Sequence, residues 1–197
     1  MFGSAGGQGK DRNKKGLLLF MLEQFYPKRY EVSAYVIPYE HYQARGYKGI
    51  IFDIDNTLVF HDAPADKQAL ELFKRLKEIG MKTCLLSNNK EPRVKAFAEK
   101  MDSPYIYKAG KPGVRGYERA MELMDTNRGN TLFVGDQLFT DVYGANRAGL
   151  YSILVKPMNP KEEIQIVLKR YLEAIVLAFY RKRLKKMGQT AGDFCKK

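Results

Sequence analysis

The chain from residue 49 onward alternates short apolar runs with longer segments in which apolar residues recur every three or four positions. The short runs predict five strands, at Gly49–Ile54, Thr83–Ser87, Tyr105–Tyr107, Thr131–Val134 and Ser152–Val155. The longer segments predict helices at Asp66–Ile79, Glu91–Met101, Gly113–Met124 and Thr140–Ala148. Continuously apolar strands that alternate with helices are typical of a parallel sheet covered on both faces. The pattern therefore indicates a doubly wound α/β domain.

The segments on either side of this domain have a different pattern. Residues 1–16 are polar and contain several Gly and Lys, which predicts a disordered basic N-terminus. Residues 17–48 predict a short amphipathic helix at Leu17–Tyr26, followed by an extended or irregular segment. Residues 49–160 form the predicted core, and residues 161–197 predict a long, basic amphipathic helix with a short tail.

Length and composition narrow the class of protein. A chain of 197 residues with 45% hydrophobic residues is typical of one soluble globular domain. No apolar run approaches the roughly 18 residues of a membrane span, and Leu17–Leu22 is too short for a secretory signal. Cys84 lies in an apolar run and Cys195 in the tail, so we expect neither a zinc site nor a disulfide framework. A reducing, cytoplasmic location fits this pattern best.

The formal net charge of +12 is unevenly distributed. Residues 1–48 have a net charge of +4, residues 49–160 of +2 and residues 161–197 of +6. Basic flanks around a nearly neutral core favour an anionic partner, either a lipid surface or a nucleic acid. The simpler interpretation is that the charge only keeps the protein soluble.

Two carboxylates come directly after the first predicted strand, in the sequence Asp53-Ile54-Asp55-Asn56-Thr57. The carboxyl ends of the strands form the ligand crevice of a doubly wound sheet. Because side chains alternate along a strand, we expect Asp53 and Asp55 to project to the same side. Two neighbouring carboxylates need a compensating cation, and hard oxygen ligands of this kind suit Mg²⁺.

Three further strand ends provide groups suited to a phosphate or a cation. Ser87 and Asn88 follow the second strand and offer a hydroxyl and an amide, although Asn88 is also a common type of turn residue. Lys111 follows the third strand, just before a predicted helix, and offers a positive charge. Asp136 follows the fourth strand, and Asp141 lies in the segment after it.

The set Asp-x-Asp-x-Thr, Ser, Lys and Gly-Asp-x-x-x-x-Asp, in this order, resembles the haloacid dehalogenase superfamily over residues 49 to about 155. The longer phrases at Ile51–Val59 and Val134–Gly149 are similar to one branch, the bacterial YqeG family, which is related to the mitochondrial phosphatidylglycerophosphate phosphatases. The resemblance implies a capless core with strand order 3-2-1-4-5 and with Asp53 and Asp136 on neighbouring strands.

The resemblance also implies a role for each carboxylate. Asp53 is the nucleophile that becomes phosphorylated, and Asp55 is the general acid and base. Mg²⁺ is held by the carboxylates of Asp53 and Asp136 and by the backbone carbonyl of Asp55. Asp141 is either an outer partner of the metal or a helix cap. The phosphoryl group is bound by Ser87 and Lys111, with Asn88 as a further candidate.

The spacing of the motifs leaves no room for a cap domain. Only 34 positions separate Asp53 from Ser87, and 24 separate Ser87 from Lys111. An open site suits a phosphate on a large partner, and the resemblance points to the dephosphorylation of phosphatidylglycerophosphate by an enzyme peripheral to the inner face of a membrane. The alternatives are a soluble phosphatase for a sugar phosphate or nucleotide, with its site covered by an oligomer, and a non-catalytic nucleic-acid-binding scaffold.

Overall fold

The computed structural model describes residues 22–159 and 164–188. The predicted disorder of residues 1–16 and most of the predicted helix Leu17–Tyr26 fall outside the described residues. Six parallel strands form one sheet in the order β1-β6-β5-β2-β3-β4. These strands are β1 (Arg29–Glu31), β2 (Gly49–Phe52), β3 (Lys82–Leu86), β4 (Tyr105–Ile106), β5 (Thr131–Gly135) and β6 (Tyr151–Val155).

The predicted strands correspond to β2–β6, and the predicted order and fold class are confirmed. The count of five was one strand short, because β1 adds an edge strand beside β6. β1 is only three residues long, and its first and last residues, Arg29 and Glu31, are charged and form an ion pair. It therefore shows no alternation of apolar and polar residues from which to predict a strand. Its place is set by backbone pairing, which aligns Arg29 with Ile153.

Helices cover both faces of the sheet. They are α1 (Tyr39–Ala44), α2 (Lys67–Glu78), α3 (Glu91–Met101), α4 (Arg115–Met124), α5 (Tyr143–Arg147) and α6 (Ile164–Lys186). The Asp66 side chain begins α2 by accepting the Ala69 N–H at 2.8 Å, which is a typical N-cap. The predicted helix Thr140–Ala148 is instead a π-helical segment at Leu138–Val142 that continues into α5.

The two faces of the sheet build separate cores. Ile50 and Phe52 of β2 project toward α1, α2 and α3, whereas Ile51 between them projects toward α4 and α5. The same alternation in β5 places Val134 on the first face and Phe133 on the second. All five side chains are fully buried, which explains why these strands are continuously apolar in sequence.

The C-terminal helix α6 packs on the domain along one face. Val176, Tyr180 and Leu184 are buried in a third cluster, together with Tyr26, Leu138, Val142 and Leu154. The opposite face remains exposed in the part of α6 whose side chains are described, residues 171–186. Within the described chain, no helix combines the length and the hydropathy required to cross a bilayer.

Tyr117 of α4 supports the loop after β5. Its ring is fully buried, and its hydroxyl lies 3.1 Å from the carbonyl oxygens of both Thr140 and Asp141. Gly144 of α5 leaves room for this ring, because a Cβ at that position would lie 2.4 Å from the Tyr117 hydroxyl oxygen. The absence of a side chain at Gly144 therefore allows Tyr117 to hold the loop.

We expect Gly144→Ala to lower the free energy of unfolding by about 1–3 kcal/mol, because the added methyl group overlaps a buried ring in a packed core. Urea unfolding measures this change. Gly129→Ala is the control, since a Cβ there would contact only the Asn127 side chain, at 3.3 Å. Equal unfolding free energies for the two variants would contradict the prediction.

Candidate active site

The carboxyl ends of β2 and β5 bring two of the predicted carboxylates together. Asp53 follows β2 and its N–H donates to the Val134 carbonyl oxygen at 2.9 Å, which extends the β2–β5 pairing by one residue. Asp136 follows β5 directly. Both side chains are buried. The predicted placement of Asp53 and Asp136 on neighbouring strands is therefore observed.

A third carboxylate, Asp141, completes a compact cluster with these two. Oxygen atoms of Asp53, Asp136 and Asp141 all lie within 4.8 Å of one another. The Lys111 Nζ donates to Asp53 Oδ1 at 2.6 Å and to Asp141 Oδ1 at 2.7 Å. The Thr57 Oγ1 lies 3.3 Å from Asp53 Oδ2 and 3.4 Å from Asp136 Oδ1. Three buried carboxylates are thus gathered around one ammonium group.

Burial dominates the electrostatics of this cluster. The pKa of Asp53 is raised to about 7, chiefly by burial; Lys111 opposes this rise, and the neighbouring carboxylates of Asp141 and Asp55 add to it. Burial acts to lower the pKa of Lys111, but the carboxylates of Asp141 and Asp53 outweigh it, so this pKa is raised. Lys111 therefore stays protonated, and one positive charge faces up to three negative ones.

The cluster fits a divalent cation. Its donors are carboxylate oxygens, which are the ligands that hard cations such as Mg²⁺ prefer. A bound dication would also favour the ionised form of Asp53, whose pKa is raised chiefly by burial. Asp53, Asp136 and Asp141 are the side chains that could hold it.

Gly135 explains how Asp141 reaches this position. A Cβ on Gly135 would lie 2.6 Å from Asp141 Oδ2, so any other residue would displace that carboxylate. The same oxygen accepts the Gln137 N–H at 3.0 Å, in the manner of a cap at the start of the segment Leu138–Val142. Both alternatives for Asp141, a partner of the metal and a cap, are compatible with its contacts.

Asp55 lies at the same edge, but its carboxylate has a separate set of partners. Asp55 Oδ1 accepts the Asp62 N–H at 2.9 Å and an Arg93 N–H at 3.0 Å, and Oδ2 accepts the Asn89 amide at 2.6 Å. The expected alternation of Asp53 and Asp55 does not apply, because β2 ends at Phe52 and the chain turns after it.

The sequence did not predict that Arg93 and Asn89 contact Asp55. They lie 38 and 34 positions away along the chain, and no motif spacing links them to the first strand. One signal in the sequence could have indicated Arg93. The predicted helix α3 begins at the same edge as the strand ends, so residues of its first turn are candidates for contacts with Asp55.

Ser87 and Asn88 follow β3, one strand away from Asp53. The Ser87 side chain is buried and its Oγ accepts the Asn89 N–H at 3.1 Å. The Asn88 amide instead holds the backbone of Lys111, accepting its N–H at 2.9 Å and donating to its carbonyl oxygen at 3.3 Å. Asn88 thereby fixes the loop of Lys111, and phosphate binding by Ser87, Asn88 and Lys111 stays a prediction.

No cap domain covers this edge within residues 54–110. That part of the chain forms the turn after β2, helices α2 and α3, and strands β3 and β4. The short flap around Phe60, His61 and Asp62 is exposed. Within residues 54–110, therefore, no inserted domain covers the carboxyl edge of the sheet.

Known proteins share this sequence pattern. The family described as haloacid dehalogenase-like hydrolase matches residues 59–149. A Bacillus subtilis protein described as the probable phosphatase YqeG is 38% identical over 165 residues, which is 83% of this chain and 96% of that protein. The chain belongs to the YqeG family of the haloacid dehalogenase superfamily. The predicted family is thus confirmed, and the protein is a phosphatase of this superfamily.

Two weaker similarities extend beyond this YqeG family. The Arabidopsis thaliana phosphatidylglycerophosphate phosphatase 1 is 25% identical over 76% of this chain and 45% of its own length, so less than half of that protein is matched. A haloacid dehalogenase-superfamily hydrolase from Ehrlichia chaffeensis superposes with a TM-score of 0.47 at 14% identity, over 65% of this chain and 97% of that chain.

We expect the affinity for a divalent cation to fall as the pH is lowered. The cation needs ionised Asp53, whose pKa is raised to about 7, so a proton competes below that pH. For one proton, the dissociation constant of Mg²⁺ should rise about tenfold between pH 8 and pH 6. Isothermal titration in two buffers of different ionisation enthalpy would measure both the affinity and the proton released. Equal affinity at both pH values, with no proton released, would contradict the prediction.

Proposed function

We propose that this enzyme hydrolyses a phosphomonoester through an aspartyl-phosphate on Asp53, with Mg²⁺ as its cofactor. The observation that carries the proposal is the contact of the buried Asp53 carboxylate with Lys111, inside a carboxylate cluster at an open edge. A nucleophile needs its charge oriented, and the ammonium group of Lys111 fixes one oxygen of Asp53 at 2.6 Å. The same ammonium is close enough to neutralise charge on an incoming phosphoryl group.

The proposed reaction has two steps. In the first, a carboxylate oxygen of Asp53 attacks phosphorus, the bond from phosphorus to the ester oxygen breaks, and Asp55 donates a proton to that oxygen. In the second, Asp55 takes a proton from water, whose oxygen attacks phosphorus and releases phosphate and the free Asp53 carboxylate. Asn89 and Arg93 hold Asp55 between these steps through the contacts described above.

Mg²⁺ would be held by the carboxylates of Asp53 and Asp136 and by the backbone carbonyl of Asp55, with Asp141 as an outer partner. When bound, it supplies positive charge for the phosphoryl oxygens as negative charge develops on them. Ser87 and Lys111 would bind the remaining phosphoryl oxygens.

The proposed substrate is phosphatidylglycerophosphate, and the product is phosphatidylglycerol. The match to the plant phosphatidylglycerophosphate phosphatase supports a lipid phosphate as substrate. An open carboxyl edge also supports it, because a phosphate at a bilayer surface cannot enter a closed cavity. Both observations support a lipid phosphate as the class of substrate. The assay described below distinguishes a lipid phosphate from soluble phosphates.

The exposed face of α6 supports contact with an anionic bilayer. Its outer side carries a stripe of exposed apolar residues, Tyr171, Leu172, Ile175 and Phe179. Exposed Lys182 and Lys186 continue the same side at helical spacing. An apolar stripe beside lysines suits a helix that lies in the interface of an anionic membrane.

One ion pair joins the N-terminal part of the described chain to α6. An ion pair joins Glu23, close to the N-terminal end of the described chain, to Arg183 of α6. Residues 1–22 contain four Lys/Arg against one Asp, and residues 181–197 contain seven against one. The ion pair joins residues near the two ends of the described chain, and the excess of positive charge in the sequence around those ends favours an anionic surface as partner.

The experiment that tests the function is a phosphate-release assay with Mg²⁺. It compares phosphatidylglycerophosphate in mixed micelles with soluble sugar phosphates and nucleotides. We expect release from the lipid, and we expect Asp53→Asn to reduce it to below about 1% of wild type, because the covalent step has no substitute. The amide is nearly isosteric, so thermal unfolding should remain cooperative in this variant.

Three results would contradict these proposals. Turnover of Asp53→Asn above about 1% of wild type would exclude Asp53 as the nucleophile. Release from soluble phosphates alone would replace the lipid substrate with a soluble one. Salt-sensitive RNA binding, without hydrolysis of any phosphomonoester, would favour a non-catalytic scaffold instead.

We expect the basic end of α6 to contribute to vesicle binding. Replacing Arg181, Lys182, Lys185 and Lys186 with Gln should weaken binding to anionic vesicles by at most about 4 kcal/mol, at about 1 kcal/mol for each charge near the surface. Arg183 is kept because it pairs with Glu23. Hydrolysis of a soluble phosphomonoester should change little, because these four side chains are exposed and lie outside the site.

Vesicle sedimentation and the two kinetic assays separate the possible outcomes. The matched control is a variant with Gln at Lys67, Lys74, Lys95 and Lys100, four exposed lysines on α2 and α3. Vesicle binding equal to wild type would reject the role of the basic end. Loss of activity on soluble and lipid substrates alike would show that this end of α6 is only structural.

A further inference from the structure

A buried glutamate on α6 contacts the loop that carries two of the candidate cation ligands. The Glu173 side chain is on the inner face of α6, where the residue is only 6% exposed. Its Oε1 accepts the backbone N–H of Leu138 at 2.7 Å. Leu138 is fully buried, so this N–H has no access to water. A glutamate in such a position requires a reason, because burying a carboxylate is costly.

The contact falls at the start of the segment between Asp136 and Asp141. Leu138 is the first residue of the π-helical segment Leu138–Val142, and the first N–H groups of a helical segment have no partner within it. The Gln137 N–H is already bound by Asp141 Oδ2, at 3.0 Å. Glu173 of α6 provides the acceptor that the neighbouring N–H of Leu138 needs.

We propose that Glu173 is a positioning residue that holds the Asp136–Asp141 loop in the geometry needed for cation binding. The inference rests on the proposed function of Asp136 and Asp141 as metal partners. Leu138 lies two positions after Asp136 and three before Asp141, so a shift of its backbone moves both carboxylates. Groups that orient metal ligands commonly affect metal affinity strongly without touching the metal.

The packing around Glu173 makes the contact rigid. Val176 and Tyr180, one and two turns further along α6, pack in one cluster with Leu138 and Val142. α6 therefore contacts the segment Leu138–Val142 through apolar side chains at both ends of that segment, and through one hydrogen bond at its first residue. Removing the carboxylate would leave the Leu138 N–H buried without an acceptor, and the loop would have to move to hydrate it.

The test is Mg²⁺ binding to the full chain without substrate, measured by isothermal titration. We expect Glu173→Ala to weaken Mg²⁺ about tenfold, as substitutions of groups that orient metal ligands commonly do. Glu173→Gln keeps a carbonyl oxygen that can accept the same N–H, and should bind Mg²⁺ within about twofold of wild type. Leu184→Ala is the matched control, because it removes buried packing from the same helix face, about three turns beyond Glu173, but no hydrogen bond to the loop.

The control separates positioning from general stability. Leu184→Ala should lower the melting temperature as Glu173→Ala does, while its dissociation constant for Mg²⁺ stays at the wild-type value. Wild-type Mg²⁺ affinity in Glu173→Ala, or equal losses in Glu173→Ala and Glu173→Gln, would overturn the inference. These measurements involve no phosphate ester, so failure of the proposed lipid substrate would leave their outcome unaffected.

Discussion

The structure of the site depends on the burial of three carboxylates around one ammonium group. Like charges repel strongly where water is excluded, and Lys111 can neutralise only one of them. Asp53, Asp136 and Asp141 would separate if their backbones were free to move. The surrounding fold must therefore impose their arrangement. It does so through the β2–β5 pairing under Asp53 and through the support that Tyr117 gives to the loop of Asp141.

Several neighbouring residues help to hold these charged groups in place. Gly135 makes space for the Asp141 carboxylate, Asn88 fixes the backbone of Lys111, and Glu173 anchors the start of the loop after β5. Each acts on backbone position, which is how a protein can hold charges in place before a ligand arrives. A site assembled in this way would need little reorganisation to bind the proposed cation and phosphoryl group, because the cost of gathering the charges is met during folding.

The sequence was sufficient to predict those features that follow from local pattern. The runs at β2 and β5 predict buried parallel strands, and their carboxyl ends bring Asp53 and Asp136 together without any knowledge of side-chain packing. β1 escaped prediction because three residues show no period, and its place comes from pairing with a strand more than 120 positions away. The contacts of Arg93 and Glu173 were equally hidden, since each joins residues 35 or more positions apart.

The course of α6 limits how the proposed membrane contact could serve the site. α6 contacts Leu138, in the loop after β5, through Glu173, whereas its basic end lies further along the helix, where Arg183 pairs with Glu23. Thirteen residues of helix between Glu173 and Lys186 span about 20 Å. Attachment by the basic end alone would therefore hold the site away from a bilayer. The exposed stripe along α6 would avoid this conflict, because a helix that lies flat on the surface keeps Glu173 and Lys186 at the same height above the lipid.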